Sequence, residues 1–281
     1  MHIVEKLNEL RAIRASMTGV LGLVPTMGAL HAGHASLFAK ARSECAHVAG
    51  SIFVNPTQFG PTEDLSKYPR SLQNDLDMLE SLGVDVVWIP YVESIYPPGY
   101  RTWVAVDEIT QPLEGKARPG HFRGVATIVA KLFNCFTPDK AYFGQKDAQQ
   151  VVALQRMVQD LNFPIELVIC PTVRDSDGLA LSSRNAYLNP QERKAAPVLY
   201  RALCAASRLF EKGERNADAL RETMLSELHS ELFAREEYVS AADPDTMKEL
   251  ETISDAALLS MAVRIGATRL IDNVLLRVKQ Q

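Results

Sequence analysis

The feature that most constrains the fold is an alternation of short apolar runs with amphipathic stretches through the first two thirds of the chain. Most of the runs are continuously apolar, which is typical of strands that are buried on both faces. The predicted strands cover 20–25, 48–54, 84–89, 140–143 and 165–170. Apolar residues recur at helical spacing between them, over 37–48, 72–79, 125–136 and 151–161. This order predicts an α/β fold, a Rossmann-like doubly wound parallel sheet with helices on both faces.

A different pattern begins near residue 186. Two helical patterns, roughly 190–212 and 215–233, precede short strand-like segments at 238–241, 259–265 and 268–272. This mixture is typical of a small α+β unit. We therefore predict a Rossmann-like domain over 1–185 and a second, smaller α+β domain over 186–281.

Composition excludes several classes of protein. Hydrophobic residues make up 47% and charged residues 23% of the chain, which is typical of a globular protein and excludes intrinsic disorder. The formal net charge of −4 provides no long-range attraction for nucleic acid or an anionic membrane. No run of 18 apolar residues is present, and residues 1–15 alternate charged and apolar groups at helical spacing, unlike a signal peptide. We therefore expect a cytoplasmic protein without a nucleic-acid or membrane partner.

The cysteine pattern indicates neither a disulfide framework nor a metal site. No C-x-x-C pair and no Cys/His cluster with zinc spacing involves the four cysteines, which are Cys45, Cys135, Cys170 and Cys204. We expect them to be reduced, small core residues, and we assign no metal-ligating side chain.

The first motif with chemical content is PTMGALHAGH at 25–34, which follows a predicted strand and opens a predicted helix. A strand, a glycine turn and a helix start form the place where parallel sheets bind anions. His31 and His34 can donate hydrogen bonds to phosphate oxygens there and stabilise charge as a phosphorus–oxygen bond breaks. Two histidines in H-x-G-H favour this function over a simple helix cap. The motif is neither a P-loop nor G-x-G-x-x-G.

Two further segments resemble anion sites. Lys146, in FGQKD at 143–147, is a point charge suited to a phosphate, and Asp147 can cap the next helix, bind ribose hydroxyls or bind magnesium. Two hydroxyls and the guanidinium of Arg184 share one turn in GLALSSRN at 178–185, which suits a phosphate-binding loop that closes over a ligand. The alternatives are an ordinary capped turn and a solvated loop.

Glutamines and a basic loop complete the candidate segments. Gln58, in FVNPTQF at 53–59, and Gln150 can orient a carboxylate without neutralising it, which matters if that carboxylate acts as a nucleophile. The segment RPGHFRG at 118–124 either adds positive charge near phosphates or lies on the surface.

The segments that begin after residues 25, 54 and 143 lie at the carboxyl ends of predicted parallel strands, and 178–185 lies just beyond a fourth. We therefore expect His31, His34, Lys146 and Arg184 to converge on a polyanion. ATP is the simplest ligand for that set of cations. No side chain stands out as a covalent nucleophile. This favours a reaction in which one bound substrate directly attacks a phosphorus atom of the other. Transfer of AMP to a phosphorylated acceptor by a nucleotidyltransferase, and a nucleotide sensor without turnover, are the alternative interpretations.

Together the motifs resemble the pantoate–β-alanine ligase family of the H-x-G-H nucleotidyltransferase superfamily, over essentially the whole chain. The segments that carry the resemblance are PTMGALHAGH at 25–34, FVNPTQF at 53–59, RPGHFRGV at 118–125, YFGQKDAQQ at 142–150 and DGLALSSRN at 177–185. Positions 145 and 148 are Gln and Ala, where the family commonly has Glu and an aromatic residue.

The resemblance implies an ATP-dependent ligase. The carboxylate of (R)-pantoate would attack the α-phosphorus of ATP and release pyrophosphate, and β-alanine would then attack the pantoyl adenylate to give pantothenate and AMP, a step in the coenzyme A pathway. It implies Mg²⁺ with the ATP, no tightly bound organic cofactor, a C-terminal lid domain and a homodimer.

The resemblance also implies roles for individual residues. The catalytic residues would be His34, His31 and Lys146. Pantoate would be bound by Gln58 and Gln150. ATP would be bound by Met27, Gly28, Ala29, Leu30, His31, Ala32, Gly33, His34, Gly144, Gln145, Lys146, Asp147, Val173, Leu181, Ser182, Ser183 and Arg184.

Overall fold

A computed structural model describes residues 1–61 and 63–278. Its strands are β1 (His2–Val4), β2 (Leu21–Thr26), β3 (His47–Ile52), β4 (Val86–Trp88), β5 (Lys140–Gly144), β6 (Glu166–Cys170), β7 (Ala234–Ala242), β8 (Ala256–Ile265) and β9 (Thr268–Arg277). Its α-helices are α1 (Leu7–Ser16), α2 (Ala32–Glu44), α3 (Leu72–Ser81), α4 (Val92–Ile95), α5 (Glu114–Ala117), α6 (His121–Phe136), α7 (Ala148–Asp160), α8 (Pro190–Ala195), α9 (Val198–Glu211) and α10 (Ala217–His229). Three short 3-10 helices cover Pro56–Gln58, Gln145–Asp147 and Ser183–Tyr187.

The chain divides into two compact units. Of the described residues, the first comprises 1–61, 63–107, 118–145 and 153–171, and the second comprises 108–117, 146–152 and 172–278. Two short segments from the middle of the chain, 108–117 and 146–152, thus pack with the C-terminal residues. The division into domains at residue 185 stays a prediction.

The first unit is built on a six-stranded parallel sheet with the order β1-β4-β3-β2-β5-β6. The strand order reverses direction between the neighbours β2 and β5, which is where open α/β sheets bind their ligands, beyond the carboxyl ends of the strands. Helix α2 buries Leu37, Phe38 and Ala41 against Val24 and Tyr142 in the core of this unit. The predicted Rossmann-like architecture is therefore confirmed.

The second unit contains a three-stranded antiparallel sheet, β7-β8-β9. One face of the sheet packs on α9 and α10 through a core that includes Leu203, Met224 and Met261. The other face carries Leu258, which packs with Ile109 and Ala148 from the two short segments. The predicted smaller α+β unit is confirmed, and its sheet has an α-helical layer on one side and the short segments on the other.

Strand β1 is the main element that the sequence pattern did not predict. Residues 1–15 show helical spacing, but His2–Val4 pair in parallel with β4, and the helix begins only at Leu7. The strand is at the edge of the sheet and leaves Ile3 exposed, so no continuous apolar run marks it. Pairing with a distant strand overrides the local pattern here.

Two expectations from the composition concern the cysteines and membrane-spanning helices. All four cysteines are free, and Cys45 and Cys170 are buried. Among the described residues, no helix has both the length and the apolar character needed to cross a membrane.

A buried ion pair holds residues 108–117 on the C-terminal sheet. Arg269 of β9 donates two hydrogen bonds, of 2.7 and 2.9 Å, to the carboxylate of Glu114, and a third to Glu237 at 2.7 Å. The Glu114 side chain is 9% exposed, whereas that of Glu237 is 26% exposed. We expect Glu114→Gln to lower the free energy of unfolding by about 3 kcal/mol, because it leaves a largely buried guanidinium with a weakened partner.

The control is Glu237→Gln, which removes the more exposed partner of the same arginine and should cost about 1 kcal/mol or less. Urea unfolding at pH 7 measures both. Equal losses in the two variants would contradict the structural role assigned to Glu114.

Candidate functional site

The H-x-G-H segment forms a tight loop between β2 and α2. Gly28 has φ of +80° and Ala29 has φ of +49°, so two consecutive residues adopt left-handed backbone conformations. A Cβ atom on Gly28 would lie 3.0 Å from a carboxylate oxygen of Asp75 and 3.1 Å from Ile52. Glycine is therefore required at 28 by both its φ angle and the available space. The loop brings the backbone close to the end of the sheet.

Asp75 on α3 fixes the conformation of this loop. Its side chain is 2% exposed, and its two oxygens accept hydrogen bonds from the backbone N–H groups of Ala29 at 2.9 Å and Leu30 at 2.8 Å. Ser71 donates to the same carboxylate at 3.2 Å. Sequence reasoning missed Asp75. Its signal is a carboxylate one turn before Leu79, on the buried stripe of an amphipathic helix.

His31 and His34 lie at the N-terminus of α2, a helix of 13 residues. His31 caps the helix, because its Nδ1 accepts a hydrogen bond from the backbone N–H of Gly33 at 3.1 Å. In the neutral ring the proton is then on Nε2, which can donate. The two imidazole rings have centroids 4.1 Å apart. Two ring donors and the positive end of a helix dipole are suited to binding an anion.

Gln58 lies at the end of the 3-10 helix that follows β3, and hydrogen bonds set the orientation of its amide. Asn55 donates to Oε1 at 3.0 Å, and Nε2 donates to the sulfur of Met27 at 3.0 Å. The loops that follow the neighbouring strands β2 and β3 are thereby in contact. The remaining N–H and lone pair of the amide are the groups that can bind a carboxylate or a hydroxyl.

Asn55, which orients the Gln58 amide, is itself buried, with 1% of its surface exposed. Its carbonyl oxygen accepts from the hydroxyls of Thr57 and Tyr96, both at 2.9 Å, and its amide also donates to the carbonyl of Gly124 at 3.1 Å. Burial raises the pKa of Tyr96 to about 12, so its phenol remains a donor at neutral pH. These partners fix the orientation of the Asn55 amide, because its oxygen faces hydroxyl donors and its nitrogen faces acceptors.

The basic segment at 118–124 fixes the backbone of Gln58. Nδ1 of His121 lies 2.8 Å from the Gln58 carbonyl, and Nε2 lies 3.0 Å from a guanidinium nitrogen of Arg118. Arginine only donates, so Nε2 accepts and Nδ1 donates to the carbonyl. Arg118 is in turn held by both oxygens of Glu63, at 2.9 and 2.7 Å. The segment therefore has a supporting role that neither of its two sequence-based interpretations included.

The second unit holds most of the other candidate residues, whereas Gly144 and Gln145 belong to the first. Lys146 and Asp147 lie in the 3-10 helix before α7, Asp147 is exposed, and Gln150 lies in the first turn of α7. Residues 173–181 form a hairpin in which Leu181 donates to the carbonyl of Val173 at 3.0 Å. Ser182 then caps the 3-10 helix Ser183–Tyr187 by accepting from the backbone N–H of Arg184.

The hairpin requires a glycine at 178. Its φ is +93°, and a Cβ atom there would lie 2.0 Å from the ring of Tyr200. The guanidinium of Arg174 lies over the same ring, 4.3 Å from its centroid. The structure thus brings 27–34, 53–59 and 118–124 together within the first unit, and it describes 146–150 and 173–185 within the second.

Comparisons with known proteins show which family the chain belongs to. The family model for pantoate–β-alanine ligase matches residues 2–275. The pantothenate synthetase of Roseiflexus castenholzii is 58% identical over 276 residues, which is 98% of this chain and 99% of that protein. This chain belongs to the pantoate–β-alanine ligase family.

Solved structures of this ligase family have the same fold. The pantothenate synthetase of Thermus thermophilus aligns with a TM-score of 0.93 at 46% identity, over 98% of this chain and 99% of that one. The pantoate–β-alanine ligase of Francisella tularensis, solved in complex with β,γ-ATP and β-alanine, aligns with a TM-score of 0.81 at 38% identity, over 98% and 97% of the two chains.

We expect Asp75→Ala to lower ligase activity at saturating substrate concentrations by about 10-fold or more, because misplacing catalytic groups by about 1 Å can cost 100-fold. It should also lower the free energy of unfolding by about 1–3 kcal/mol, since it removes the carboxylate that two partly buried N–H groups bind. Asp75→Asn, which retains one acceptor oxygen, should lose less of both.

The control for Asp75 is Asp77→Ala on the same helix. Asp77 is exposed and accepts from Gln73, so its removal should leave activity within about 2-fold of the parent. Steady-state kinetics and thermal unfolding of the three variants test this assignment. Equal activities of Asp75→Ala and Asp77→Ala would contradict it.

Proposed function

We propose that this ligase condenses (R)-pantoate with β-alanine through a pantoyl adenylate, and that its two histidines and Lys146 stabilise the first step. Ligation of pantoate with β-alanine, with ATP as a substrate, is the activity of the family to which the chain belongs. The observation that carries the site is the H-x-G-H loop, held in one conformation by Asp75 at the N-terminus of α2. Acyl activation by ATP is the chemistry that such an anion site supports.

Charge repulsion is the main obstacle to the first step. A carboxylate that attacks the α-phosphorus approaches a group that is already anionic, and negative charge grows on the leaving pyrophosphate. Preorganised cations and N–H donors lower that barrier because they need no reorganisation during the reaction. We assign this role to the imidazoles of His31 and His34, with the helix dipole of α2 behind them.

Gln58 has a different task. An ammonium or guanidinium beside the pantoate carboxylate would neutralise the charge that makes the carboxylate a nucleophile. The oriented amide of Gln58 instead binds pantoate by neutral hydrogen bonds and leaves the carboxylate reactive. We assign the same role to Gln150. Because Asn55 and Met27 already fix the Gln58 amide, little side-chain entropy is lost when the substrate binds.

The second unit contributes the remaining cations in this proposal. Lys146 binds the ATP phosphates, and Ser182, Ser183 and Arg184 form a phosphate-binding loop. Residues 144–147 and Val173 bind the nucleotide. Exclusion of water from the reactive acyl phosphate would then fall to the smaller C-terminal part of the chain.

Mg²⁺ enters this reaction with ATP as part of the substrate. Mg²⁺ commonly retains several waters and takes one or two carboxylates besides phosphate oxygens. The exposed carboxylate of Asp147, beside Lys146, has the chemistry that such a metal accepts. When bound, Mg²⁺ would neutralise phosphate charge. We also propose that the enzyme works as a homodimer in the cytoplasm, where ATP is supplied.

The adenylate route is tested by measuring AMP release while each of ATP, pantoate and β-alanine is omitted in turn. We expect AMP only when all three are present, and ATP–pyrophosphate exchange that needs pantoate but not β-alanine. Release of pyrophosphate with the adenylyl group retained in the product would instead support nucleotidyl transfer to an acceptor.

We expect His34→Ala and Lys146→Ala each to lower pantoate-dependent exchange by about 100-fold or more, since loss of one donor to developing charge typically costs about 3–4 kcal/mol. His229→Ala is the matched control. That histidine is exposed in the last turn of α10 and pairs with Glu236, so its loss should not change exchange. Near-parental exchange in both test variants would remove the basis for the assigned roles.

A further inference from the structure

Two consecutive residues of β9 have buried polar side chains, and neither takes part in the proposed reaction. Asp272 is 2% exposed and Asn273 is 5% exposed. Successive residues of a strand point to opposite faces of the sheet, so the two side chains serve different sides of the same three-stranded sheet. Each of them binds a segment that carries candidate phosphate-binding residues, and all of these residues lie within the second unit.

Asn273 holds the turn that contains Lys146. Its Nδ2 donates a 2.8 Å hydrogen bond to the backbone carbonyl of Lys146. This contact joins β9 to the 3-10 helix Gln145–Asp147 at the residue whose ammonium group is proposed to bind phosphate. A hydrogen bond to the backbone sets where the side chain begins, while its ammonium group stays available for a ligand.

The neighbours of Asn273 in the sheet differ from it in their contacts. Asn273 pairs with Ser260 of β8, and Ser260 pairs with Ser240 of β7, so the three side chains form one row across the sheet. The hydroxyls of Ser240 and Ser260 are buried and make no hydrogen bond within the part of the chain that the structure describes. In this row, Asn273 is the residue whose side chain binds the Lys146 backbone.

Asp272 holds the hairpin that leads into the Ser182–Arg184 loop. Its carboxylate accepts two hydrogen bonds from Arg174, at 2.6 and 2.8 Å, and a third from the backbone N–H of Asn273 at 2.8 Å. The Arg174 side chain also donates to the carbonyl of Gly178 at 3.1 Å, and its backbone forms an isolated antiparallel β-bridge with Ala180. The start of the phosphate-binding loop, at Leu181, therefore follows directly from a segment anchored on β9.

We propose that Asp272 and Asn273 are positioning residues that hold the Lys146 turn and the 181–184 loop as one rigid frame for the phosphates of ATP. The backbone N–H of Asn273 binds the Asp272 carboxylate, so the two anchors are also joined to each other. This inference rests on the proposed function, because it concerns how residues assigned to ATP are placed.

A double-mutant cycle tests the Asn273 arm. Pantoate-dependent ATP–pyrophosphate exchange is measured at saturating MgATP for the full-length parent, Asn273→Ala, Lys146→Ala and the double variant. We expect Asn273→Ala to lower exchange about 10-fold or more, since small misplacements of catalytic groups have effects of this size. In the Lys146→Ala background the same substitution should change exchange by less than about 2-fold, because it acts through Lys146.

The matched control is Ser260→Ala, which truncates a buried side chain in the same row without removing a hydrogen bond and should keep parental exchange. Asn273→Asp, which keeps the shape but replaces the amino donor by oxygen, provides a second variant if Asn273→Ala folds poorly. It should show the same loss in exchange and the same insensitivity once Lys146 is absent. A merely structural role would instead lower exchange by the same factor in both backgrounds.

The Asp272 arm has its own cycle, with Arg174→Lys and Arg184→Ala. Lysine keeps the charge at 174 but cannot bind both oxygens of Asp272, so we expect about a 10-fold loss of exchange that disappears in the Arg184→Ala background. In either cycle, a double variant whose loss of exchange equals the product of the two single losses would overturn the corresponding arm of the proposal.

The outcomes also separate this inference from the function it rests on. A parent enzyme without pantoate-dependent exchange, or an unimpaired Lys146→Ala enzyme, would overturn the proposed roles and the inference together. An impaired Lys146→Ala enzyme with unimpaired Asn273→Ala and Asn273→Asp enzymes would overturn the inference alone.

Discussion

The carboxylate of Asp75 is the interaction on which the geometry of the H-x-G-H loop depends. It accepts the backbone N–H groups of two consecutive residues, one of which, Ala29, has a left-handed backbone that is unfavourable for a residue with a Cβ. The strain is tolerated because the alternative would deprive a buried carboxylate of two of its hydrogen-bond donors. One side chain of α3 thereby determines where α2 begins and where its imidazoles lie.

In each unit, one polar contact centre joins several of the candidate segments. In the first unit this centre is Gln58, whose amide and carbonyl contact Met27, Asn55 and His121. In the second it is the Asp272–Asn273 pair of β9. The sheets supply rigid edges, and the buried polar groups supply the fixed angles that loops alone lack. Such preorganisation is what electrostatic stabilisation of a phosphoryl-centre reaction requires.

The sequence predicted elements whose local pattern and burial agree. The central strands are mostly apolar and almost continuously buried, and α6 follows its apolar stripe. Features that depend on distant partners were missed: β1 exists through pairing with β4, and 146–152 group with the C-terminal residues. Asp75 and Asn273 were missed for the same reason, and so was the role of His121 in the candidate segment 118–124, because a buried polar residue reveals its role only through the atoms it contacts.

The route through an acyl adenylate is the central claim, and an oxygen-isotope experiment tests it most directly. Pantoate carrying ¹⁸O in its carboxylate is turned over with ATP and β-alanine, and the products are examined by mass spectrometry. If the carboxylate attacks the α-phosphorus, one labelled oxygen leaves with AMP when β-alanine displaces it, so AMP should carry one ¹⁸O per turnover. Label in inorganic phosphate or pyrophosphate, with unlabelled AMP, would contradict the account.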